Sequence, residues 1–381
     1  MQRIAIIAGV LHSGGKRNLI MEYYRHIDKT KVQFDFICDS DSNGIKYTCV
    51  LREGIPEEEI NALGGRVYKV APYKNIFRHM KETYDILKRN NYVIMHAFDN
   101  TLNIFPMFIG WLAGVKIRIS ESISKGDKNE KKTLIKYALR PFSHWFANKY
   151  MANSIDCGIW QFGKRTYEKG KINIFKTVID ADANAFDENL RNVTRKNFGW
   201  TDKVVYGFIG RYVEQKNPLF LIDIFNKIAC KQNNALLVMI GFGELETVIH
   251  EKIKQYGIED KVIDLGRRDD IKQFYNAFDA FLLPSLYEGM PVVGVEAQCA
   301  GLPIFFSKNI TEETTASDLA YYIGLDRSPD DLAELIIKKI SENINIRRSH
   351  ADDVKKNGFD SHQEALRLQE FYSKCINNNN I

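Results

Sequence analysis

The stretch Leu282-Leu-Pro-Ser-Leu-Tyr-Glu-Gly-Met-Pro-Val-Val-Gly-Val-Glu-Ala-Gln-Cys-Ala-Gly-Leu-Pro303 holds one complete strand, loop and helix. Its apolar start reads as a buried strand ending at Pro284, and its loop carries Glu288 and Gly289. Pro291 suits the first turn of a helix, where a missing N–H has no acceptor to lose. The helix, read as 291–300, has Glu296 as its only ionisable residue. A lone carboxylate in so apolar a helix is costly to bury unless something hydrogen-bonds it. Two explanations stand: Glu296 caps a nearby backbone loop, or it binds a pair of ligand hydroxyls.

Outward from this unit, short apolar runs alternate with amphipathic stretches from Met1 to about Phe306, the pattern of successive β-α units around a parallel sheet. Strands are expected near 3–9, 33–38, 66–70, 92–96, 116–120 and 149–152. Helices are expected near 16–27, 56–63, 76–90, 101–113, 130–147 and 155–162. The polar segment Asp187–Asn197 breaks the periodicity. A second set follows, with strands from Val204 and near 235–240, 262–265, 280–284 and 303–306. Its helices lie near 218–230, 244–256, 270–277 and 291–300, then 330–343, 347–356 and 361–376, before an asparagine tail expected to be disordered. The fold class is α/β, with two Rossmann-like, doubly wound parallel-sheet domains facing an interdomain cleft. The expected division is 1–190, 191–360, and a helix at 361–376 that crosses back to the first domain.

Composition sets the limits. With 381 residues, 45% hydrophobic and 27% charged, the chain is ordinary for a soluble globular protein, which excludes intrinsic disorder, collagen and a disulfide miniprotein. Only 9 prolines argue against a long proline-rich linker. Cys38, Cys49, Cys157, Cys230, Cys299 and Cys375 are scattered, so reduced thiols in a cytoplasmic protein are expected and a zinc module is not. Met1–Ile7 reads as a first strand rather than a signal peptide. The longest uncharged run lies between Asp99 and Lys116 and is interrupted by Pro106, Gly110 and Gly114. It falls short of the roughly 20 residues a membrane span needs.

Charge is unequal along the chain: residues 1–190 hold 29 Lys and Arg against 21 Asp and Glu, and residues 191–381 hold 24 against 27. The basic half points to an anionic partner, whether phosphate, lipid headgroup or nucleic acid, against the plainer reading of a basic solvated surface.

In Gly207-Phe-Ile-Gly-Arg-Tyr-Val-Glu-Gln-Lys-Asn-Pro218 a strand delivers Arg211 to its carboxyl end, and Lys216 precedes an Asn217 N-cap with Pro218 at the first helical position. Two cations beside a helix N-terminus make a phosphate site, unless both are merely solvated. The Gly14-Gly15 turn lets a backbone approach a ligand closely. It is no Walker loop, because Gly15 and Arg17 stand where Lys and Ser/Thr are required. Gly241-Phe-Gly243-Glu-Leu-Glu246 lacks the third glycine of a dinucleotide fingerprint, which disfavours a nicotinamide enzyme. Asp39-Ser-Asp41 and Asp180-Ala-Asp182 could pair carboxylates on a divalent cation, but such triplets arise by chance among 48 acids, and no metal is assigned. His96 and Asp99 follow a strand and are expected to face the cleft, with a structural histidine as the alternative.

Together these residues resemble a retaining family 4 glycosyltransferase of the GT-B fold, particularly its bacterial capsular and exopolysaccharide branch. The carriers in the second half are Gly210-Arg211 with Lys216-Asn217, Ile240-Gly-Phe-Gly-Glu-Leu-Glu246, Asp264-Leu-Gly-Arg-Arg-Asp-Asp270 and Glu288-x7-Glu296. In the first half they are Ser13-Gly-Gly, the helix ending Tyr24-Arg-His-Ile-Asp28, His96-Ala97 and Leu112-Ala-Gly-Val-Lys-Ile-Arg-Ile119.

The resemblance implies a role for each. Glu296 would hold the ribose hydroxyls and Glu288 the donor sugar, while the backbone of Gly289, Met290, Pro291 and Val292 meets sugar and phosphates. Arg211 and Lys216 would neutralise the diphosphate, making Arg211, Lys216 and Glu288 the catalytic set. Arg267 and Arg268 would contact the base, and Gly14-Gly15 would approach from the other domain. The implied donor is a UDP-sugar, with no metal or further cofactor. Retention would follow from same-face attack, with the leaving phosphate as base.

Three positions depart from the family pattern. Lys16 and Arg17 follow the glycine pair where a Glu is common, Ser120-Glu121-Ser122-Ile123 replaces a His-Ser-His sequence, and Thr177-Val178 replaces Asn-Gly. The acceptor half is therefore altered, through an unusual acceptor, through Glu121 in a histidine's role, or through lost catalysis with retained nucleotide binding. His96, Asp99 and Glu121 are the acceptor-side candidates. Residues 130–147 mix cations with Leu134, Ile135, Leu139, Trp145 and Phe146, which suits either an interfacial membrane contact or core packing. In the membrane reading the acceptor is a lipid-linked saccharide at the inner face of the plasma membrane. The leading reading is a glycosyltransferase, and the alternative a catalytically silent nucleotide-sugar binding or scaffold protein. No interleaved aromatic and basic motif supports a nucleic-acid partner.

Overall fold

The computed structural model describes residues 1–11, 14–40, 54–124, 133–343 and 347–378. Ser13, Asp41, Cys49, Lys131, Asn379 and Asn380 lie outside them. The chain forms two units, Met1–Val178 with Ser361–Ile381, and Ile179–Asp360.

In the first unit, β1 (Gln2–Gly9), β2 (Val32–Asp39), β3 (Arg66–Val70), β4 (Ile94–Ala97), β5 (Ile117–Ser122), β6 (Lys149–Ala152) and β7 (Ile172–Ile174) build one parallel sheet. Its order is β3-β2-β1-β4-β5-β6-β7. Between the strands lie α1 (Gly15–His26), α2 (Glu57–Ala62), α3 (Ile76–Arg89), α4 (Ile104–Leu112), α5 (Thr133–Leu139), α6 (Ile155–Phe162) and α7 (Lys164–Glu168). Both faces are covered, so strand residues alternate between two cores rather than between core and water. In β1, Ile4 and Ile6 enter one cluster while Ala5 and Ile7 enter the other.

The second unit contains α8 (Glu188–Phe198), β8 (Val204–Ile209), α9 (Pro218–Lys231), β9 (Ala235–Ile240), α10 (Glu246–Tyr256), β10 (Val262–Asp264) and α11 (Ile271–Ala277). It continues with β11 (Ala280–Leu283), α12 (Val292–Cys299), β12 (Ile304–Ser307), β13 (Ala320–Ile323), α13 (Pro329–Asn343) and α14 (Ala351–Lys356). Its parallel sheet runs β10-β9-β8-β11-β12-β13. The last helix, α15 (Ser361–Asn377), belongs to the first unit, where Leu368, Tyr372 and Cys375 join the cluster of Ile4 and Ile6. Each sheet reverses its strand order once, at β1/β4 and at β8/β11. Such switch points open a crevice at the carboxyl ends of the strands, where open α/β sheets bind ligands.

Several sequence expectations are corrected. The boundary falls at Val178/Ile179, not 190/191, because Ile179 N–H donates to the Phe359 carbonyl at 2.9 Å and ties this segment to the second unit. With that boundary the charge imbalance widens, to 31 basic against 19 acidic residues in the first unit and 22 against 29 in the second. The polar segment at 187–197 is the helix α8. It lacks an apolar stripe because it is held by charge, through Arg195 to Asp279 at 2.9 Å, with the Asp187 side chain as its N-cap. Strands β7 and β13 were not foreseen, being only three and four residues long. Residues 130–132 of the helix expected at 130–147 lie outside the described residues, and within 133–147 the structure has α5 followed by a 3-10 turn at Arg140–Phe142. Among the described residues no helix is long and apolar enough to cross a membrane.

Candidate functional site

The switch point of the second sheet gathers the residues that the sequence singles out there. The exit of β8 presents Arg211, and a 3-10 turn at Glu214–Lys216 brings Lys216 back before α9. The exit of β11 presents Glu288. Lys216 Nζ lies 2.6 Å from Glu288 Oε1, with side chains 13% and 9% exposed. That Glu288 oxygen is buried, and its contact with Lys216 is an ion pair.

Gln215, which sequence reasoning missed, stitches the two exits. Its side-chain amide donates to the Tyr287 carbonyl at 3.1 Å and to Glu288 Oε2 at 3.4 Å. Its Oε1 accepts from Arg211 Nη2 at 3.4 Å, and its backbone carbonyl accepts from Leu286 N–H at 2.8 Å. The signal was only its place between Arg211 and Lys216. Asn217 stands at the N-cap position of α9 but in a left-handed conformation, φ 53, with no side-chain cap. Its amide donates instead to the Pro284 carbonyl at 3.1 Å, joining the same two exits.

Helix α12 starts at Val292, so Pro291 is its N-cap rather than its first residue. The first N–H groups of α12 have no intrahelical acceptor and carry the positive end of the helix dipole. Gly289 lies in the loop before it, and Met290 is buried against Val295 and Cys299, leaving main chain to meet a ligand. Glu296 is partly exposed, and its Oε2 accepts from Tyr275 Oη at 2.7 Å. Burial first, and the Glu296 charge next, hold the Tyr275 phenol well above the usual tyrosine range, so it remains a donor that aims the carboxylate. Tyr275 lies too far away in sequence for any motif to name it.

The Gly241-Phe-Gly243 segment supports this site sterically. A Cβ on Gly241 would come 1.9 Å from the Gly210 carbonyl oxygen, and one on Gly243 would come 2.3 Å from that of Tyr212. The glycines let the β9 exit lie against the loop carrying Arg211, where Tyr212 N–H donates to the Phe242 carbonyl at 2.8 Å. At the β10 exit Arg268 pairs with Asp270 and Arg267 with Asp269, so each expected base contact is engaged by an acidic neighbour.

The first unit departs from expectation. His96 and Glu121 lie in the interior and line a small cavity with Tyr23, Phe98 and Tyr372. Their side chains are 1% and 3% exposed, and His96 Nε2 lies 2.8 Å from Glu121 Oε2, off the line of a hydrogen bond. Nδ1 of His96 meets Tyr372 Oη of α15 at 2.9 Å. The cause is the pleat: Met95 and Ala97 face one core, so His96 is turned into the other, beneath α15. Asp99 does lie at the switch point, ion-paired at 2.6 Å with Lys16, whose ammonium also donates to the Ala8 carbonyl. A Cβ on Gly9 would come 2.5 Å from Asp99 Oδ2, so glycine there admits the carboxylate. Gly14 caps α1 at φ 135, a conformation open to glycine, and Gly15 is the first residue of that helix. Asp39 is buried 3.5 Å from His79 Nδ1, Asp182 pairs with Lys355 at 2.6 Å, and Asp180 accepts from Ala183 N–H at 2.8 Å.

Two doubly wound sheets, with paired cations and carboxylates at the switch point of the second, define a GT-B glycosyltransferase architecture. Residues 191–360 match the model of the glycosyl transferases group 1. It is similar to the Bacillus subtilis (strain 168) protein named glycosyltransferase EpsF, at 28% identity over 98% of this chain and 96% of the other. It is also similar to the Escherichia coli UDP-Gal:alpha-D-GlcNAc-diphosphoundecaprenol alpha-1,3-galactosyltransferase, at 28% identity over 59% of this chain and 60% of the other. The solved structure of Anabaena HepE in complex with UDP-glucose superposes with a TM-score of 0.77 at 16% identity, covering 98% of this chain and 100% of that one.

Proposed function

We propose that the chain moves a sugar, with retention and without a metal ion, from a UDP-linked donor to a lipid-linked saccharide during synthesis of a bacterial surface polysaccharide. The observation that carries this reading is the Arg211–Gln215–Glu288–Lys216 assembly beside the start of α12. Breaking a sugar–phosphate bond builds charge on the departing diphosphate, and cations held in place before the reaction stabilise it most where that charge grows. Arg211 and Lys216 are those cations, with the α12 N–H groups beside them, and Arg267 and Arg268 lie towards the base. Glu288 takes a hydroxyl of the donor sugar and Glu296 the ribose. The leaving phosphate serves as base for the incoming acceptor hydroxyl. Support for the donor and acceptor comes from the names of the E. coli relative and of the HepE complex. The reaction then runs at the inner face of the plasma membrane, which residues 130–147 contact.

A panel of UDP-sugars incubated with lipid-linked acceptors tests the proposal, with UDP release measured in the presence and absence of EDTA and the product anomer read by proton NMR. The expected result is EDTA-insensitive transfer giving the anomer of the donor. An inverted anomer contradicts retention. Tight UDP binding with no turnover on any acceptor selects the silent binding protein instead.

A further inference from the structure

We propose that Arg347 is a positioning residue for nucleotide recognition: its guanidinium clamps the carboxyl ends of α11 and α12 together and so holds the Tyr275–Glu296 pair in place for the ribose. This rests on the reading above that Glu296 takes the ribose hydroxyls, and it adds the residue that fixes where that carboxylate stands. Tyr275 belongs to α11 and Glu296 to α12, so the 2.7 Å hydrogen bond between them depends on how the two helices are held against each other.

Arg347 lies in the segment between α13 and α14, and the backbone there is moored to α12. His350 N–H donates to the Cys299 carbonyl at 3.1 Å, and a Cβ on Gly301 would come 2.0 Å from the Arg348 carbonyl oxygen, so the segment runs directly over the end of that helix. From there the Arg347 side chain reaches both helices. Nε and Nη2 donate to the Ala300 carbonyl at 3.2 and 3.0 Å, Nη2 donates also to the Tyr275 carbonyl, and Nη1 to the Phe278 carbonyl. Ala300 and Phe278 are the C-caps of α12 and α11, where carbonyls lack intrahelical partners and carry the negative end of the helix dipole. Each contact is one step from the pair it serves: Tyr275 is gripped by its own carbonyl, and the Ala300 N–H donates to the Glu296 carbonyl at 3.0 Å. The Phe186 ring lies 4.6 Å from the guanidinium and covers it.

Such a clamp needs the planar fork of arginine. A guanidinium presents donors in several fixed directions at once, whereas an ammonium is a compact point charge that holds one helix end or the other. Stability alone does not ask for a cation here. Burial first, and the Arg191 charge next, pull the Arg347 pKa well below the usual arginine range, with Asp279 opposing them. A desolvated cation beside other cations is costly where an apolar side chain of similar length could fill the space. Arg191 and Arg195 already hold the end of α11, through the carbonyls of Asn276, Ala277 and Phe278. What Arg347 adds is the bond to α12.

The test is titration of UDP and of 2′-deoxy-UDP into the full chain, with the melting temperature recorded on each sample, for the wild type, Glu296→Ala, Arg347→Lys, Arg347→Met and Arg191→Met. The expected result is a wild-type preference for UDP of about tenfold, the worth of a hydrogen bond to a charged group, which Glu296→Ala abolishes. Arg347→Lys and Arg347→Met each reduce the preference to about twofold while binding 2′-deoxy-UDP as the wild type does, which separates a defect at the ribose from a general loss. Arg191→Met, which loosens α11 alone, lowers the melting temperature and keeps the preference. Should Arg347→Met fail to fold, Arg347→Lys carries the test. A lowered melting temperature in the Arg347 variants with the preference intact makes the arginine a structural cap and overturns the proposal. So does an equal loss of preference in Arg191→Met. A wild type without any preference removes the ribose reading and the clamp with it, whereas a preference that Glu296→Ala abolishes and both Arg347 variants keep removes the clamp alone.

Discussion

Lys216 Nζ and Glu288 Oε1 lie 2.6 Å apart and join the exits of β8 and β11 across the switch point of the second sheet. Each side chain is nine-tenths buried or nearly so. Removing one partner leaves a charge with little water, at a cost of about 2–3 kcal/mol, below the figure for a fully buried pair. Lys216→Met therefore lowers the melting temperature and also weakens UDP binding about tenfold to a hundredfold, the worth of a charge-assisted hydrogen bond. The double variant Lys216→Met/Glu288→Gln recovers the melting temperature but not the UDP affinity. If calorimetry shows both properties recovering together, the lysine serves the fold alone.

Tyr275 aims Glu296 through one hydrogen bond. Tyr275→Phe keeps the ring and loses that bond, worth about 1 kcal/mol or roughly fivefold in affinity. The loss is expected with UDP and much smaller with 2′-deoxy-UDP, because in the proposed function the carboxylate takes the ribose hydroxyls. An equal loss for the two nucleotides would place the defect elsewhere.

Gly241→Ala would set a methyl group 1.9 Å from the Gly210 carbonyl oxygen, where both atoms are backbone and neither can rotate away. The β9 exit must shift and take the Arg211 loop with it. Destabilisation of about 1–3 kcal/mol is expected, with a fall in UDP affinity that Gly257→Ala does not reproduce. Gly257, at φ 63 with open space around it, strains only its own helix end.

His96 and Glu121 are held in the core of the first unit, with Tyr372 of α15. Glu121→Ala leaves a buried imidazole without its carboxylate and lowers stability by about 3 kcal/mol or more, measured by denaturant unfolding. UDP affinity at a temperature where the variant is folded stays at the wild-type value. A variant that melts normally but loses acceptor turnover would restore Glu121 to a role in the reaction.

What was legible in the sequence followed the strength of the local signal. Uninterrupted apolar runs such as Ala235–Ile240 gave strands at their observed limits, since a doubly covered parallel strand is apolar on both faces. Helix α8 was invisible because Arg191 and Arg195, rather than leucines, tie it to Asp279. The second-unit site was readable because Arg211, Lys216, Glu288 and Glu296 sit in short strand-to-helix segments. Gln215 and Tyr275 were missed because their work is visible only through partners 72, 73 and 21 residues away. The burial of His96 and Glu121 was not legible for a related reason: a strand end can turn a side chain to either face, and only the packing of α15 decides which.

In the proposed function the second unit binds a uridine diphosphate through the charges at its switch point and the carboxylate of Glu296. Isothermal titration of UDP, GDP and ADP into the wild type and Glu296→Ala tests it most directly. UDP is expected to bind the wild type more tightly than GDP or ADP, and Glu296→Ala to lose about tenfold or more of that affinity. Equal, weak binding of all three nucleotides to both proteins would contradict it.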